Sequence, residues 1–510
     1  MTAVNGSVPH HRIAIVGSGF SGLGMAMRLR AEGEDDFVIL ERAGDVGGTW
    51  RDNTYPGCQC DIPSHLYSLS FAPNPGWTRT YPLQPEIQEY LRRCARESGV
   101  LPHIRFNREA RRARWDSERR RWRLETPAGE LTADVLIAAA GPLAEPQVPA
   151  IPGLESFAGT LFHSARWDHG HDLRGERVAV IGNGASAIQF VPRIQPQVAR
   201  LLVFQRTPAW VLPHPDRAIT RAERAVYRAV PPAQKLVRGL IYLSREWLVI
   251  GMTRHRRLLR VLERVARRHL RRQVADPELR RKLTPSYEVG CKRILLSNDY
   301  YPALAQRNVE VVTEPIREIR PRSIVTADGA EREVDTIILG TGFQVLPPPI
   351  AAHVRGRDGR TLAEVWGGSM EAYKGTAVAG FPNLFFLIGP NTGLGHNSMV
   401  LMIESQIAYI FDCLRLMRDE GIATVEVRPE AQRRFNERIQ RRMPETVWAS
   451  GGCASWYMDS EGRIPTLWPG FTWRFRQITR SFDAESYVLE RRGEAALAPG
   501  AEPAVPGRAP

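Results

Sequence analysis

Arg12-Ile13-Ala14-Ile15-Val16-Gly17-Ser18-Gly19-Phe20-Ser21-Gly22 begins as a short apolar strand and ends in a turn built on three glycines. Leu23-Gly24-Met25-Ala26-Met27-Arg28-Leu29 then carries apolar residues at helical spacing, and a second strand, Phe37-Val38-Ile39-Leu40, ends on Glu41. Glu41 stands nineteen residues beyond Gly22, close to the ~20 expected between the last glycine and an acid of a dinucleotide-binding unit. Strand, glycine turn, helix, strand and acid form that fingerprint in the context it requires. Gly17 permits the tight turn, Gly19 lets backbone approach a pyrophosphate, and Gly22 lets the helix lie on the strand. The pyrophosphate is expected at the helix N-terminus beside Phe20, where free N–H groups point outward. Glu41, with Arg42 next to it, is expected at the ribose.

The unit recurs. Arg177-Val178-Ala179-Val180-Ile181 runs into Gly182-Asn183-Gly184-Ala185-Ser186-Ala187, with Ala187 in the third glycine position, a permitted variant. The next strand, residues 201–204, leads not to an acid but to Gln205-Arg206-Thr207. A carboxylate repels a 2′-phosphate and an arginine pairs with one. The first unit is therefore read as binding FAD or NAD, the second as binding NADP. A lone glycine pattern is often a chance turn; two copies, each between strand and helix and with opposite charges at the ribose position, set that reading aside. The expected fold class is α/β, with two Rossmann-like dinucleotide-binding domains and a helical insertion in the second.

The pattern divides the chain into a first part of the FAD domain at 1–150 and a first part of the NADP domain at 151–214. A helical insertion follows at 215–285. The second part of the NADP domain is expected at 286–376 and that of the FAD domain at 377–492, with a disordered tail at 493–510. A hairpin region is expected over 104–131, and strands over 134–140 and 335–339, each running into glycine. The Arg254-to-Lys282 charge run of the insertion reads first as a solvated helix face, with membrane-surface contact as the minority reading.

A chain of 510 residues with 43% hydrophobic and 24% charged content can fill two or three packed cores, which excludes wholly disordered, collagen-like and disulfide-stapled classes. The net charge is +14, from 69 basic against 55 acidic residues, yet only Lys235, Lys282, Lys292 and Lys374 are lysines. A skew to 65 arginines reflects a GC-rich coding genome rather than a nucleic-acid partner. No apolar signal core and no run of roughly 18 apolar residues is present. Cys58, Cys60, Cys94, Cys291, Cys413 and Cys453 form no metal quartet and no C-x-x-C pair. The expectation is a cytoplasmic, reduced protein without metal, nucleic-acid partner or integral membrane segment.

Two further motifs carry a family resemblance. Phe157, Gly159, His163, Trp167 and Asp168 stand at the fixed positions of FxGxxxHxxxW(P/D), and Gly47-Gly48-Thr49-Trp50 through Tyr55-Pro56-Gly57 to Asp61 fits GGxWxxxx(F/Y)PGxxxD. The chain resembles the type I Baeyer–Villiger monooxygenases at both, from about His11 to Tyr487. The related heteroatom-oxidising flavin monooxygenases usually show Tyr-Lys where Trp167-Asp168 stands.

The resemblance implies FAD and NADPH as cofactors and conversion of a ketone and O₂ to an ester or lactone through a flavin C4a-peroxide. Sulfoxidation would be a side activity. It implies that Asp61 and Arg293 are catalytic, that Lys292 joins Arg206 at the NADP 2′-phosphate, and that Gly48, Thr49, Trp50, Tyr67 and Asn391 lie against FAD. The need for Arg293 is physical: a permanently charged guanidinium stabilises an anionic oxidant and a tetrahedral oxyanion, and Asp61 would hold it in place. Alone, Asp61 reads as a turn residue before Pro63, Arg293 as a surface arginine, and Gly389-Pro390-Asn391 as a strand-ending turn. Trp456 and Tyr457 fit either a loop over NADP or an aromatic core contact. His163 is assigned to the inter-domain linker, not to proton transfer.

Three other activities are compatible with two nucleotide folds. A heteroatom-oxidising monooxygenase is disfavoured by Trp167-Asp168 and Arg293. A disulfide reductase needs C-x-x-C, and Cys58-Gln59-Cys60 is one residue short. A silent nucleotide-binding protein would not need Asp61, Lys292 and Arg293 together. Which ketone is oxidised, and the oligomeric state, are not written in these motifs.

Overall fold

The computed structural model describes residues 8–493. β1 (His10–Val16), α1 (Phe20–Ala31) and β2 (Phe37–Leu40) form the first unit. The helix begins at Phe20, three residues before the apolar spacing starts, because Gly19 is its N-cap. A Cβ on Gly17, at φ +101°, would stand 2.7 Å from the Ala139 carbonyl oxygen, so glycine alone fits that turn. α2 (Thr49–Asp52), α3 (Gln84–Glu97) and β3 (Ile104–Arg105) follow, then β4 (Arg112–Asp116), β5 (Arg121–Thr126) and β6 (Gly129–Ala138). β4, β5 and β6 are antiparallel, and β6 pairs parallel with β1, Val16 opposite Ala138. The expected strand at 134–140 is thus the last half of a longer one.

The second domain is a five-stranded parallel sheet. Its strands include β7 (Thr160–His163), β8 (Arg177–Ile181) and β9 (Arg200–Phe204), with α4 (Ala187–Ile194) after the second glycine turn. β10 (Val211–Leu212) pairs across the insertion with β11 (Leu295–Leu296), so the insert leaves and re-enters at one place. The sheet is completed by Val309–Val312 on one side and Thr336–Leu339 between β8 and β7.

Helices α5 (Arg221–Ala229), α6 (Pro231–Glu246), α7 (Leu248–Thr253), α8 (Leu259–Gln273) and α9 (Pro277–Lys282) make up the insertion. A capping box starts α5: Glu223 N–H donates to Thr220 Oγ1 at 3.1 Å and Thr220 N–H to the Glu223 carboxylate at 2.8 Å. Asp276 accepts from Glu278 and Leu279 N–H at the start of α9. Each cap satisfies donors that the first helical turn leaves free.

The chain returns to the first domain earlier than residue 377. Val354–Arg355 pairs with β4, and Val354, Leu362, Trp366 and Met370 are buried in one cluster with Ala14, Val38 and Trp122. These residues contribute nothing to the second sheet, so the boundary expected at 376/377 moves ahead of 354. Leu384–Phe386 then pairs with β6, and the long helix Met399–Asp419 packs on α1. Of the tail expected at 493–510, residues 494–510 lie outside the described residues. Among the described residues no helix is long and apolar enough to cross a membrane.

Candidate active site

The first glycine turn meets the Gly47-Gly48-Thr49-Trp50 motif directly: a Cβ on Gly48 would stand 3.3 Å from the Gly19 Cα. Two glycine backbones face each other with no side chain between them, a cradle for a bulky planar or phosphorylated group. Thr49 opens α2. Trp50 Nε1 donates to the Tyr67 hydroxyl at 3.0 Å, and Tyr67 packs edge-on against both Trp50 and Phe20.

Glu41 is buried, with all of its acceptor positions used. Oε2 accepts from Ser18 N–H at 3.0 Å and Ser18 Oγ at 2.6 Å, and Oε1 accepts from Ala43 N–H and from Arg51. A ribose hydroxyl would therefore replace one of these donors rather than fill an empty position. Arg42 pairs with Glu145 and donates to Ala144 O at 2.9 Å, at the wall of a cavity of about 570 Å³ shared with Arg51, Asp52 and Arg166. Asn391 is buried at φ +55°, and its Nδ2 is committed to the carbonyls of Ile464 and Leu467, which leaves Oδ1 without a partner.

In the second domain, Gly182 takes φ +113° and Ala187 is fully buried where α4 meets the sheet. Gly184 and Ala185 are exposed at the mouth of the turn, with Ser186 half-buried. Asn183 Nδ2 ties the turn to Gln205 Oε1 at 3.0 Å and Thr207 O at 2.9 Å. Lys292 Nζ donates to Thr207 Oγ1 at 2.7 Å. Burial, and then the charge of nearby Arg206, lower the pKa of Lys292. Among the described residues neither cation has a carboxylate partner, so two positive charges converge on one place.

Next along the chain, Arg293 crosses to the other domain. Its Nε donates to Asp61 Oδ2 at 2.6 Å and its Nη2 to Oδ1 at 2.8 Å, a bidentate pair, while Nη1 donates to Leu394 O at 3.2 Å. Burial pushes the Asp61 carboxyl up, but the charge and hydrogen bonds of Arg293 outweigh it and hold Asp61 below its ordinary value. The same pair raises Arg293 against its own burial. Tyr457 is buried against this guanidinium, which makes it the aromatic core contact of the two readings, whereas Trp456 is exposed.

Several supporting residues escaped sequence reasoning. Gln189 of α4 accepts from Gln59 N–H at 3.2 Å and Tyr55 OH at 3.1 Å, and its Nε2 donates to Gln59 O at 2.9 Å. That clamps the loop carrying Asp61 onto the second domain. Asp216 gathers Gln59, Arg79, Thr80 and Tyr81 into the same wall. Only their polarity in apolar surroundings marked them, and that signal is not visible without the fold.

His163 is buried, and its Nδ1 accepts from Ala165 N–H at 3.0 Å. Burial lowers its pKa to about 4, so it is neutral and serves the linker. The two chain crossings meet there: Gln147 N–H donates to Gly342 O at 2.8 Å and Gln344 N–H to Glu145 O at 2.9 Å.

The expectation of a fully reduced chain is corrected. Cys291 and Cys453 form a disulfide, joining the residue before Lys292 to the segment that carries Tyr457. The sequence separation of 162 residues hid the pair. Cys58 and Cys60 are free and buried; burial raises Cys58 to about 12 and Cys60 well above its ordinary value. A redox-active pair needs an accessible thiolate, so the disulfide-reductase alternative fails.

A family model described as flavin-binding monooxygenase-like matches residues 10–354. The chain is 57% identical over 483 residues to a Baeyer–Villiger monooxygenase of Streptomyces coelicolor, covering 94% of this chain and 93% of that one. Among solved structures, a cyclohexanone monooxygenase from Rhodococcus sp. Phi1 bound to NADP⁺ superposes with a TM-score of 0.84 at 28% identity, over 95% of this chain and all of that one. OTEMO in complex with FAD and NADP gives 0.84 at 27% identity over the same shares.

Proposed function

The chain belongs to the flavin-binding monooxygenase-like family and to its Baeyer–Villiger monooxygenases, and from that premise we propose how its own residues carry the reaction. The enzyme is an NADPH- and O₂-dependent flavoprotein that inserts one oxygen atom beside a ketone carbonyl, giving an ester or lactone, NADP⁺ and water. We place it in the cytoplasm, where NADPH is supplied.

The residues fit both cofactors. Gly19 and Gly48 leave a side-chain-free cradle at the start of α1, Gly17 and Gly22 pack the turn beneath it, and Glu41, Arg42, Trp50 and Tyr67 lie nearby, which suits FAD. We assign the buried Asn391, whose Oδ1 is unpaired, to the flavin by its family resemblance. Arg206, Thr207 and Lys292 face one place with excess positive charge, which suits a 2′-phosphate, and Gly182 to Ser186 suit the pyrophosphate of NADPH. Bound flavin accepts hydride from NADPH and makes O₂ reactive toward a carbonyl.

The Asp61–Arg293 pair carries the reading. A bidentate carboxylate fixes the guanidinium plane, so its charge is already oriented where negative charge builds on oxygen. Preorganised charge of this kind lowers the barrier without reorganisation during the step. Asp61 remains ionised because Arg293 outweighs the cost of burying it. Gln189 ties the loop that carries Asp61 to α4 of the second domain, which helps to fix the carboxylate that orients Arg293. The test is turnover of a panel of cyclic, linear and aryl ketones by the FAD-loaded protein with NADPH, read by product mass spectrometry. Products heavier by one oxygen with ester fragmentation support the reading; N- or S-oxides with no ester from any ketone would overturn it.

A further inference from the structure

Helix α6 buries Gln234 and Glu246 and packs Ile241 and Tyr242 partly against the core, yet it leaves a row of large apolar side chains in water, where an ordinary surface helix is polar. Its inner face is Gln234, Arg238 and Glu246: Gln234 donates to Asn74 O at 2.8 Å, Arg238 to His65 O at 2.8 Å and Ser68 O at 2.9 Å, and Glu246 accepts from Asn397 and Thr472. Its outer face is Leu236, Leu240 and Leu243, continued by Trp247 at the C-cap, and the four are 64%, 58%, 56% and 70% exposed. At 100° per residue these four lie within about 60° of one another. Trp473, 51% exposed, is a further large apolar side chain at the end of this helix, next in sequence to Thr472, which is bonded to Glu246. A contiguous stripe of large apolar side chains on a folded surface marks a docking face.

The flank of that stripe is cationic. Arg442 reaches to within 3.7 Å of the Cβ position of Gly470, three residues before Trp473, and the charges of Arg474 and Arg254 act on it against that of Glu445. Arg442 in turn lines a cavity of about 430 Å³ whose wall is Arg434, Arg438, Arg441 and Arg442, with no carboxylate in it. Among the described residues only Arg441 of these arginines has an ion-pair partner, Glu437 at 3.4 Å.

We propose that this face seats the enzyme on an anionic lipid bilayer. Leu236, Leu240, Leu243, Trp247 and Trp473 enter the headgroup–acyl boundary, and the arginines take lipid phosphates. A second copy of the chain is the poorer occupant, because a two-fold contact through this patch would set arginine against arginine. The inference goes beyond the reaction and is read without turnover. Its consequence for the reaction is that apolar ketones would be met where they concentrate, since Arg245, on the same helix, donates to the Tyr81 hydroxyl at 3.0 Å and acts on Asp61 through its charge.

The experiment is co-sedimentation of the FAD-loaded full chain with phosphatidylcholine vesicles, with and without about 30% phosphatidylglycerol. Partition onto the anionic vesicles is expected to exceed that onto zwitterionic ones by about tenfold or more, and to fall in high salt. Leu240→Ser/Trp247→Ser and Arg438→Glu/Arg442→Glu are each expected to lower it by about tenfold or more, with FAD content, melting temperature and oxidation of a water-soluble ketone unchanged. Should a double variant lose FAD, Leu240→Ser and Arg438→Glu singly carry the test. No anionic partition, or equal partition of wild type and folded variants, overturns the proposal. So does an oligomer in wild type that Leu240→Ser/Trp247→Ser abolishes in light scattering, which assigns the face to a second copy.

Discussion

Lys292 and Arg206 approach each other from different segments with no carboxylate partner among the described residues, and the Lys292 ammonium is held in place by Thr207 Oγ1 at 2.7 Å. Like charges are brought together in a folded protein at a cost, which a bound dianion such as a 2′-phosphate reverses.

Discrimination between NADPH and NADH therefore rests on these two cations. A charge-assisted hydrogen bond is worth about 1.5–3 kcal/mol, so Lys292→Ala and Arg206→Ala are each expected to erode the preference by about tenfold or more in kcat/KM. Their effect on NADH is expected to be small. Equal kcat/KM for both cofactors in the wild-type enzyme would remove the assignment.

The Cys291–Cys453 disulfide makes a separate prediction. Thiol titration in denaturant without reductant is expected to count four thiols, those of Cys58, Cys60, Cys94 and Cys413, and six after reduction. Removing a native disulfide commonly costs about 2–4 kcal/mol, so Cys453→Ser is expected to lower the melting temperature. Because the bond ties the Tyr457 segment to the Arg293 segment, more NADPH is also expected to be spent per ester formed. Six thiols in the oxidised protein would refute the pairing.

Much of this architecture was legible in the chain. Both glycine units, Glu41, the Arg206 substitution and the Asp61 motif are local patterns, set by backbone geometry over a few residues, and the structure brings Asp61, Lys292 and Arg293 to one junction. Gln189, Asp216 and the disulfide were not legible, because their partners lie far away in sequence and the residue types have many ordinary uses. The return of the chain before Val354 was missed for a related reason: a two-residue strand leaves almost no periodic signal. Spacing placed Glu41 at the end of the second strand, but its saturation by Ser18, Ala43 and Arg51 depends on side-chain geometry that spacing does not encode.

Acid sensitivity has a definite sign. Burial lowers both His163 and His65 to about 4, against about 6.5 in an unfolded chain. Between those values the unfolded chain binds protons that the fold refuses, so stability is full above the upper value and lost as pH falls through the window. Asp61 shifts downward instead, so its ion pair persists below the ordinary carboxylate range and does not contribute to that loss. Melting temperature is expected to drop from about pH 7.5 to about 5, and His163→Gln should flatten the drop. An identical profile in the variant would place the acid sensitivity elsewhere.

The decisive variant is Arg293→Ala. Asp61 would lose its bidentate partner while remaining part of the Gln59 wall that Gln189 and Asp216 hold, so the protein is expected to fold and retain FAD. The positive charge that stabilises negative oxygen would be gone, and preorganised groups of this kind are worth about 10²–10³ in rate. Oxygen would still be reduced, because electron delivery from NADPH does not require that charge, although hydride transfer could slow through looser placement of the nicotinamide. The two halves are separated by mixing pre-reduced enzyme, with NADP⁺ bound, against oxygenated buffer. Wild type is expected to convert ketone nearly one-for-one with oxygen consumed, and Arg293→Ala to return the electrons as hydrogen peroxide with ester lost by at least about a hundredfold. Arg293→Lys should recover little, since an ammonium cannot reproduce the planar fork that engages both Asp61 oxygens and gives up its proton more readily when buried. Ester formation at the wild-type rate in Arg293→Ala would assign the stabilising charge to another group, with Arg245 a second guanidinium whose charge acts on Asp61.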